Sequence, residues 1–355
     1  MKIKTNNNFY RVLVTAFFST IIVLGLILYV GENPLNVLTE LMNGAFGTKL
    51  RFGTTLAGFT PILLTATAFA VAAKTGVFNI GTEGSLFLGA LAATYVGINF
   101  TFLPKILQIV AAFVAGMIAG GFWSFIPAYL KVKYDINEIT VGILLNTVAV
   151  YITSYFISGP MSSGGAIAQS NPVNIELTNI LAPSNANTGI IIAGVIILIL
   201  YFVLQKTSFG YKVQATGTNK LNTEYAGMHP NQVIIRAMII SGAISGIAGT
   251  IQILGVHGSF IENFGTGLGT QGMLIALVSG NSLVAIPFVS FLIASLNSGG
   301  MGLQVSTNVP KSLIDTFIAV IIIFATMENL GDHTKNLFIK VFNKDKARSE
   351  QNGLG

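Results

Sequence analysis

The chain contains no cysteine, which excludes disulfide frameworks and thiolate metal sites. Its three histidines, His229, His257 and His333, leave little from which to build a His-based metal site. No HExxH pair, no GxSxG elbow and no Gly-Lys dipeptide occurs, so zinc-peptidase, serine-hydrolase and Walker A ATPase chemistries lack their residues. Charge is equally scarce. Asp, Glu, Lys and Arg make up 9% of the 355 residues, against about 25% in ordinary soluble domains.

What is abundant is apolar: 52% of the residues are hydrophobic, and the mean hydropathy is +0.72. Such a composition belongs to an all-α integral membrane protein that crosses the bilayer repeatedly. About ten runs approach or reach spanning length, about 17 to 25 residues for a full crossing. They lie near 12–30, 52–73, 80–98, 106–129, 139–158, 189–204, 233–256, 272–280, 283–296 and 312–330. The eighth and ninth are short and meet at Asn281-Ser282, so they read either as two spans or as one broken, re-entrant element. The first follows a basic N-terminus but is longer than a signal-peptide core and has no A-x-A site after it, which makes it an uncleaved helix.

Basic residues fix the orientation, because Lys and Arg in short loops gather on the cytoplasmic side. With both termini cytoplasmic, all of them fall inside except Lys49, Arg51, Lys105 and Lys311. The net charge of +6 is thereby explained as topology, and a nucleic-acid partner has no support. The largest outer loop, 159–188, is rich in Ser, Asn, Pro and Gly and reads as surface structure rather than a domain. The stretch 333–355 reads as a basic cytoplasmic tail.

Glu83 is the most informative charge, since it opens the third apolar run inside GVFNIGTEGSLFLGA, residues 76–90. An intramembrane carboxylate costs a few kcal/mol or more, roughly, and usually faces a bundle interior or a water-filled path. Here it serves either the path or the positive end of the helix that it begins. Asn79 and Asn146 offer donors and acceptors to sugar hydroxyls or a base edge, and each suits an interhelical hydrogen bond equally well. Glu138 and Asp315 sit near span ends, where a solvated interfacial position is expected.

An internal echo accompanies Glu83. Gly81-Thr82-Glu83-Gly84 opens the third span and Gly269-Thr270-Gln271-Gly272 opens the eighth, five spans later and in the opposite sense. That is the pattern of two inverted-topology halves with a path between them, and equally of a chance match in a chain with 39 glycines. Residues 267–272 also fit GxGxxG, but no βαβ unit surrounds them, and dinucleotide binding is set aside.

The cytoplasmic loop 205–232 carries TGTNKLNTEYAGMHP, residues 216–230. Asn219 suits a helix N-cap, Gly227 the left-handed position after the last turn, Met228 the apolar contact beyond it, and Pro230 ends any continuation. A helix of about two turns is marginal alone and must pack on something. A membrane surface or a socket on a cytosolic partner would each serve.

FNIGTEG (78–84), EITVGILLN (138–146), ISGP (157–160), EYAGM (224–228) with SGAISGIAG (241–249), and IALVSGNS (275–282) occur in an order that resembles one family. It is the permease subunit of bacterial ABC importers of the ribose, galactose and branched-chain amino acid type, nucleoside-uptake subgroup. The resemblance covers about residues 50–330. It implies a multi-pass subunit of the bacterial plasma membrane that binds no cofactor, with ATP and Mg on partner ATP-binding subunits. A substrate-binding lipoprotein would deliver nucleosides outside, and the subgroup favours two different permeases side by side.

By the same resemblance, Lys220 to Gly227 is the coupling helix, with Glu224, Tyr225 and Ala226 toward the ATPase. Asn79, Glu83, Thr140 and Asn146 are candidates for the substrate path. The chain departs from the family pattern at Asn222 and Thr223, where alanines are frequent, at Thr147 in place of Tyr, and at Ser85 in place of Gln. A sugar permease of the same family is one alternative, and a self-sufficient secondary carrier is another. The carrier would need intramembrane acids, of which Glu83 is the single good candidate, and would leave the capped loop helix without a task.

Overall fold

Long apolar runs become helices where a polar side chain receives the first free N–H groups, as Thr48 does for Arg51 and Asn137 does for Ile139 and Thr140. The computed structural model describes residues 25, 27–28, 31–306 and 315–320. Its elements are α1 (Pro34–Phe46), α2 (Lys49–Ala73), α3 (Thr82–Asn99), α4 (Lys105–Tyr134), α5 (Glu138–Ser158), α6 (Gly189–Lys206), α7 (Ser208–Thr218), α8 (Lys220–Tyr225), α9 (Pro230–Gln252), a π-helical turn (Ile253–His257), α10 (Leu268–Val278) and α11 (Ala285–Ser306). No strand occurs among the described residues.

Among the described residues six helices are long and apolar enough to cross a membrane: α2, α4, α5, α6, α9 with its π turn, and α11. Helix α10, with 11 residues, spans only about 16 Å at 1.5 Å per residue, roughly half a hydrocarbon core. Of the runs expected near 12–30 and 312–330, residues 25, 27, 28 and 315–320 are described and helical. The rest of both runs, and the tail 333–355, lie outside the described residues.

The chain divides into two compact units, Met42–Gly299 and a second made from Met1–Leu41 with Gly300–Gly355. In the second, Val37, Leu303 and Phe317 are buried. The first is built around α3, which packs against α4, α9 and α5. These backbones approach so closely that a Cβ added to Gly246 of α9 would run into the carbonyl oxygen of Gly116 in α4, the small-residue packing that membrane helices use. Hydroxyls buried among them bond back into their own helices, as Thr94 does to the Ala90 carbonyl and Thr250 to that of Gly246.

One open reading is narrowed and two local readings change in the structure. The polar pair Asn281-Ser282 lies in a turn between α10 and α11, with Asn281 at φ 56°, so residues 272–296 belong to two separate helices. The second of them runs ten residues past Leu296, to Ser306. Its first polar residue beyond that point, Asn297, is satisfied by donating to Gln271 Oε1 at 3.2 Å. Glu138 is buried rather than solvated, and its carboxylate faces Lys131 Nζ at 3.5 Å.

The segment 159–188 is bound to the helix ends beneath it. Asn174 N–H donates to the Gly97 carbonyl, Val173 to Gly258 and Leu177 to Leu254, while Val173, Ile175 and Leu177 are buried. It is an ordered cap, and no separate domain.

Candidate functional site

Helix α3 begins without a cap of its own, since Gly81 at its N-cap has no side chain. The deficit is met from another helix. Asn146 of α5 accepts from the Gly84 N–H at 2.8 Å through Oδ1 and donates to the Ile80 carbonyl at 3.0 Å through Nδ2. One amide therefore holds both sides of the turn that leads into α3.

Asn79, on the same turn, is buried. Its Nδ2 donates to Ser124 of α4 and Ser241 of α9, each at 2.9 Å, and Ser124 also meets Ser85 at 2.9 Å. Asn79 Oδ1 and Thr82 Oγ1 are buried there without a protein partner. The turn is thus tied to α4, α5 and α9 at once. A net of this kind suits an element that must keep its shape while its surroundings shift.

Glu83 is half-buried in the first turn of α3, where the helix dipole favours a carboxylate. Opposite it stands the start of α10: Thr270 Oγ1 lies 3.5 Å from Glu83 Oε2, the long end of hydrogen bonding, and Gly269 rests on the Glu83 backbone. The two GTxG segments therefore meet in space. Thr65 of α2 adds a third wall by donating to the Leu268 carbonyl at 3.1 Å. Asn79, Glu83 and Asn146 are brought together about residues 79–84; Thr140 lies elsewhere, exposed in the first turn of α5.

Residues 258–267, between the π turn and α10, carry polar and aromatic groups that the sequence reading passed over. Glu262 accepts from Ser154 of α5 at 2.5 Å. Phe264 packs edge-on against Phe87, Phe260 and His257, with centroids 5.4, 5.0 and 5.4 Å away. The available signal was a polar, glycine-rich stretch with an acid, placed just before an unusually short apolar run. A separate groove of about 330 Å³, lined by Lys105, Ile109, Val173, Asn174, Ile175 and Glu176, contains none of the residues selected from sequence.

The loop helix α8 has the caps expected of it. Asn219 Oδ1 accepts from the Asn222 N–H at 3.0 Å. At the other end Met228 N–H donates to the Thr223 carbonyl and Gly227 N–H to that of Glu224, with Gly227 at φ 76°, a Schellman closure. Thr223 turns inward and is buried, whereas Lys220, Glu224, Ala226 and Gly227 are exposed. Leu221 is 64% and Tyr225 88% exposed, an apolar pair one turn apart on the open face.

Comparison with known proteins identifies the family. The family described as "Branched-chain amino acid transport system / permease component" matches residues 52–326. The chain belongs to this permease family. It is 35% identical to the guanosine ABC transporter permease protein NupP of Bacillus subtilis over 81% of this chain and 84% of that protein. It is 34% identical to the glucose ABC transporter permease protein TsgB13 of Haloferax volcanii, over 74% of this chain and 73% of that one. To the nucleoside ABC transporter permease protein NupB of Lactococcus lactis subsp. cremoris it is 28% identical, over 84% and 85%. Among solved structures, PsaBC from Streptococcus pneumoniae in complex with Fab is similar in fold, with a TM-score of 0.50 at 16% identity, covering 84% of this chain and 99% of that one. The permease is accordingly a multi-pass plasma-membrane protein of an ABC transporter.

Proposed function

We propose that this permease carries nucleosides inward as the membrane subunit of an ATP-driven importer. The observation that carries the substrate class is the likeness, across four-fifths of the chain, to a permease named for guanosine. The glucose permease among its relatives favours a second reading, a simple sugar as cargo. In either case a substrate-binding lipoprotein delivers the cargo, and a second, different permease completes the path. Two ATP-binding subunits hydrolyse ATP with Mg.

Ten spans in two inverted-topology halves, with both termini cytoplasmic, agree with the meeting of the two GTxG segments and with the distribution of Lys and Arg. Glu83 and Thr140 present their side chains to the path, while Asn79 and Asn146 hold the turn from which Glu83 projects. Helix α8 is the coupling helix within the cytoplasmic loop 205–232, and Leu221, Glu224, Tyr225 and Ala226 fit a groove on the ATP-binding subunit. Its two caps make it stiff enough to transmit displacement despite its 6 residues.

The test is competition in the reconstituted complex. Excess unlabelled uridine or inosine should suppress uptake of radiolabelled guanosine at least tenfold, and excess glucose should leave it unchanged. Suppression by glucose alone would replace the nucleoside with a sugar.

A further inference from the structure

We infer that residues 257–266 form a nucleoside-binding station on the path, with the base against Phe264 and the ribose hydroxyls at Glu262 and Asn263. This inference rests on the nucleoside reading above. The argument begins with depth. Leu268, where α10 starts, is bonded to Thr65, which stands about two turns inside the end of the 25-residue α2, since a turn takes 3.6 residues. Gly265 lies against Leu86 of α3, one turn beyond Glu83. The chain therefore descends from the π turn to the interior of the bundle without forming a helix. Non-helical backbone at such depth is tolerated only when protein buries it or when it lines a water-filled cavity.

Protein buries one side of this segment and leaves the other open. Phe260 N–H donates to Ser170 Oγ and Glu262 N–H to the Ala168 carbonyl, so one side is sealed by the 159–188 cap. Phe264 and Thr266 N–H groups turn back to Ile261 and Asn263. On the other side Asn263 and Thr266 are exposed, and His257, Glu262 and Phe264 are half-buried. The π turn just before them is a distortion frequent at functional sites.

The chemistry of these open groups is that of a nucleoside. Phe264 is anchored by two fully buried rings, Phe87 and Phe260, so it offers a rigid aromatic surface of the kind on which bases stack. Glu262 spends one oxygen on the Ser154 hydroxyl, which orients the carboxylate and leaves its other oxygen for a vicinal diol. Asn263, at φ 58°, adds an amide that can donate and accept.

The absence of native cysteine makes the test direct. Thr266→Cys places one thiol beside the station in the complete transporter, and a charged, water-soluble maleimide should label it. Guanosine should slow that labelling at least fivefold, and ribose alone should not. Phe264→Leu, which keeps an apolar side chain but removes the ring, should abolish the protection, and Phe264→Tyr should restore it. In uptake assays Glu262→Gln should reduce the preference for guanosine over its 2′,3′-dideoxy analogue by about tenfold. Protection that persists in both Phe264→Leu and Glu262→Gln, in a complex that still imports guanosine, overturns this station and leaves the nucleoside function standing. A wild-type complex that imports glucose but no nucleoside removes the function itself, and the station with it.

Discussion

Gly269 rests directly on the backbone of Glu83: a Cβ added at Gly269 would lie 2.6 Å from Glu83 Cβ and 2.7 Å from its amide nitrogen. The contact joins the first turns of α3 and α10, elements far apart in sequence, at the point where each helix leaves a non-helical segment. Both positive helix ends converge there, and Glu83 supplies the compensating carboxylate.

Gly269→Val should therefore force the two helix starts apart. The neighbouring atoms are the Glu83 Cβ and backbone, which cannot rotate away, so overpacking is expected to cost about 1–3 kcal/mol. A lowered midpoint in thermal unfolding of the purified protein, together with loss of uptake, is the expected result. Unchanged stability and transport would show that the contact is looser than described.

Asn146→Leu removes one acceptor and one donor from the turn before α3, leaving the Gly84 N–H and the Ile80 carbonyl unpaired. Each unpaired buried group costs about 1–3 kcal/mol. Asn146→Asp keeps the acceptor and should retain the Gly84 bond while losing the one to Ile80. Thermal stability should fall in the order wild type, Asp, Leu, and equal stability of the three would remove Asn146 as the cap of α3.

These two sites mark the boundary of what local sequence conveys. The ends of α8 were legible because Asn219, Gly227, Met228 and Pro230 act within a few residues of one another. The apolar runs likewise announced α2 to α6 and α9 to within a turn or so of their ends, apart from the end of α4, where basic residues extend the helix. The partners of Asn79 and Asn146 were not legible, because Ser124, Ser241 and the Gly84 amide come from distant segments and only the packing of α3, α4, α5 and α9 brings them near. Residues 258–267 were passed over for the same reason. Their glycines and acid become a signal only beside the unusually short apolar run that follows, and Gln271, which accepts from Asn297, lies beyond them.

Gly227→Pro should break the junction after α8, because proline removes the N–H that bonds Glu224 and its ring disfavours φ near +76°. Replacing Glu224 and Tyr225 by alanine removes the exposed face and leaves both caps intact. In either variant the assembled complex should hydrolyse ATP while uptake falls at least tenfold. Wild-type uptake by both would remove α8 as the coupling element.

Asp135, in the turn between α4 and α5, accepts from Lys131 Nζ at 3.0 Å, and that hydrogen bond together with the lysine charge holds its carboxyl below the usual carboxylate range. A depressed value in the folded protein means that the stabilisation is complete above the unfolded pKa of about 3.9 and fades as pH falls through the lower folded value. Because Asp135 is fully exposed, salt should screen most of the effect. Asp135→Asn should lower the thermal midpoint slightly at pH 7 in low salt, with the difference disappearing in 1 M salt and narrowing on acidification. A difference that grows on acidification would contradict the pairing.

The most direct test of the whole account is uptake by proteoliposomes that contain the two permease subunits, first alone and then with the ATP-binding subunits, the binding protein and internal ATP with Mg. Guanosine should accumulate only in the second preparation, and accumulation should stop when ATP is withheld. Accumulation by the permeases alone, driven by an imposed ion gradient, would contradict the account and make the protein a carrier in its own right.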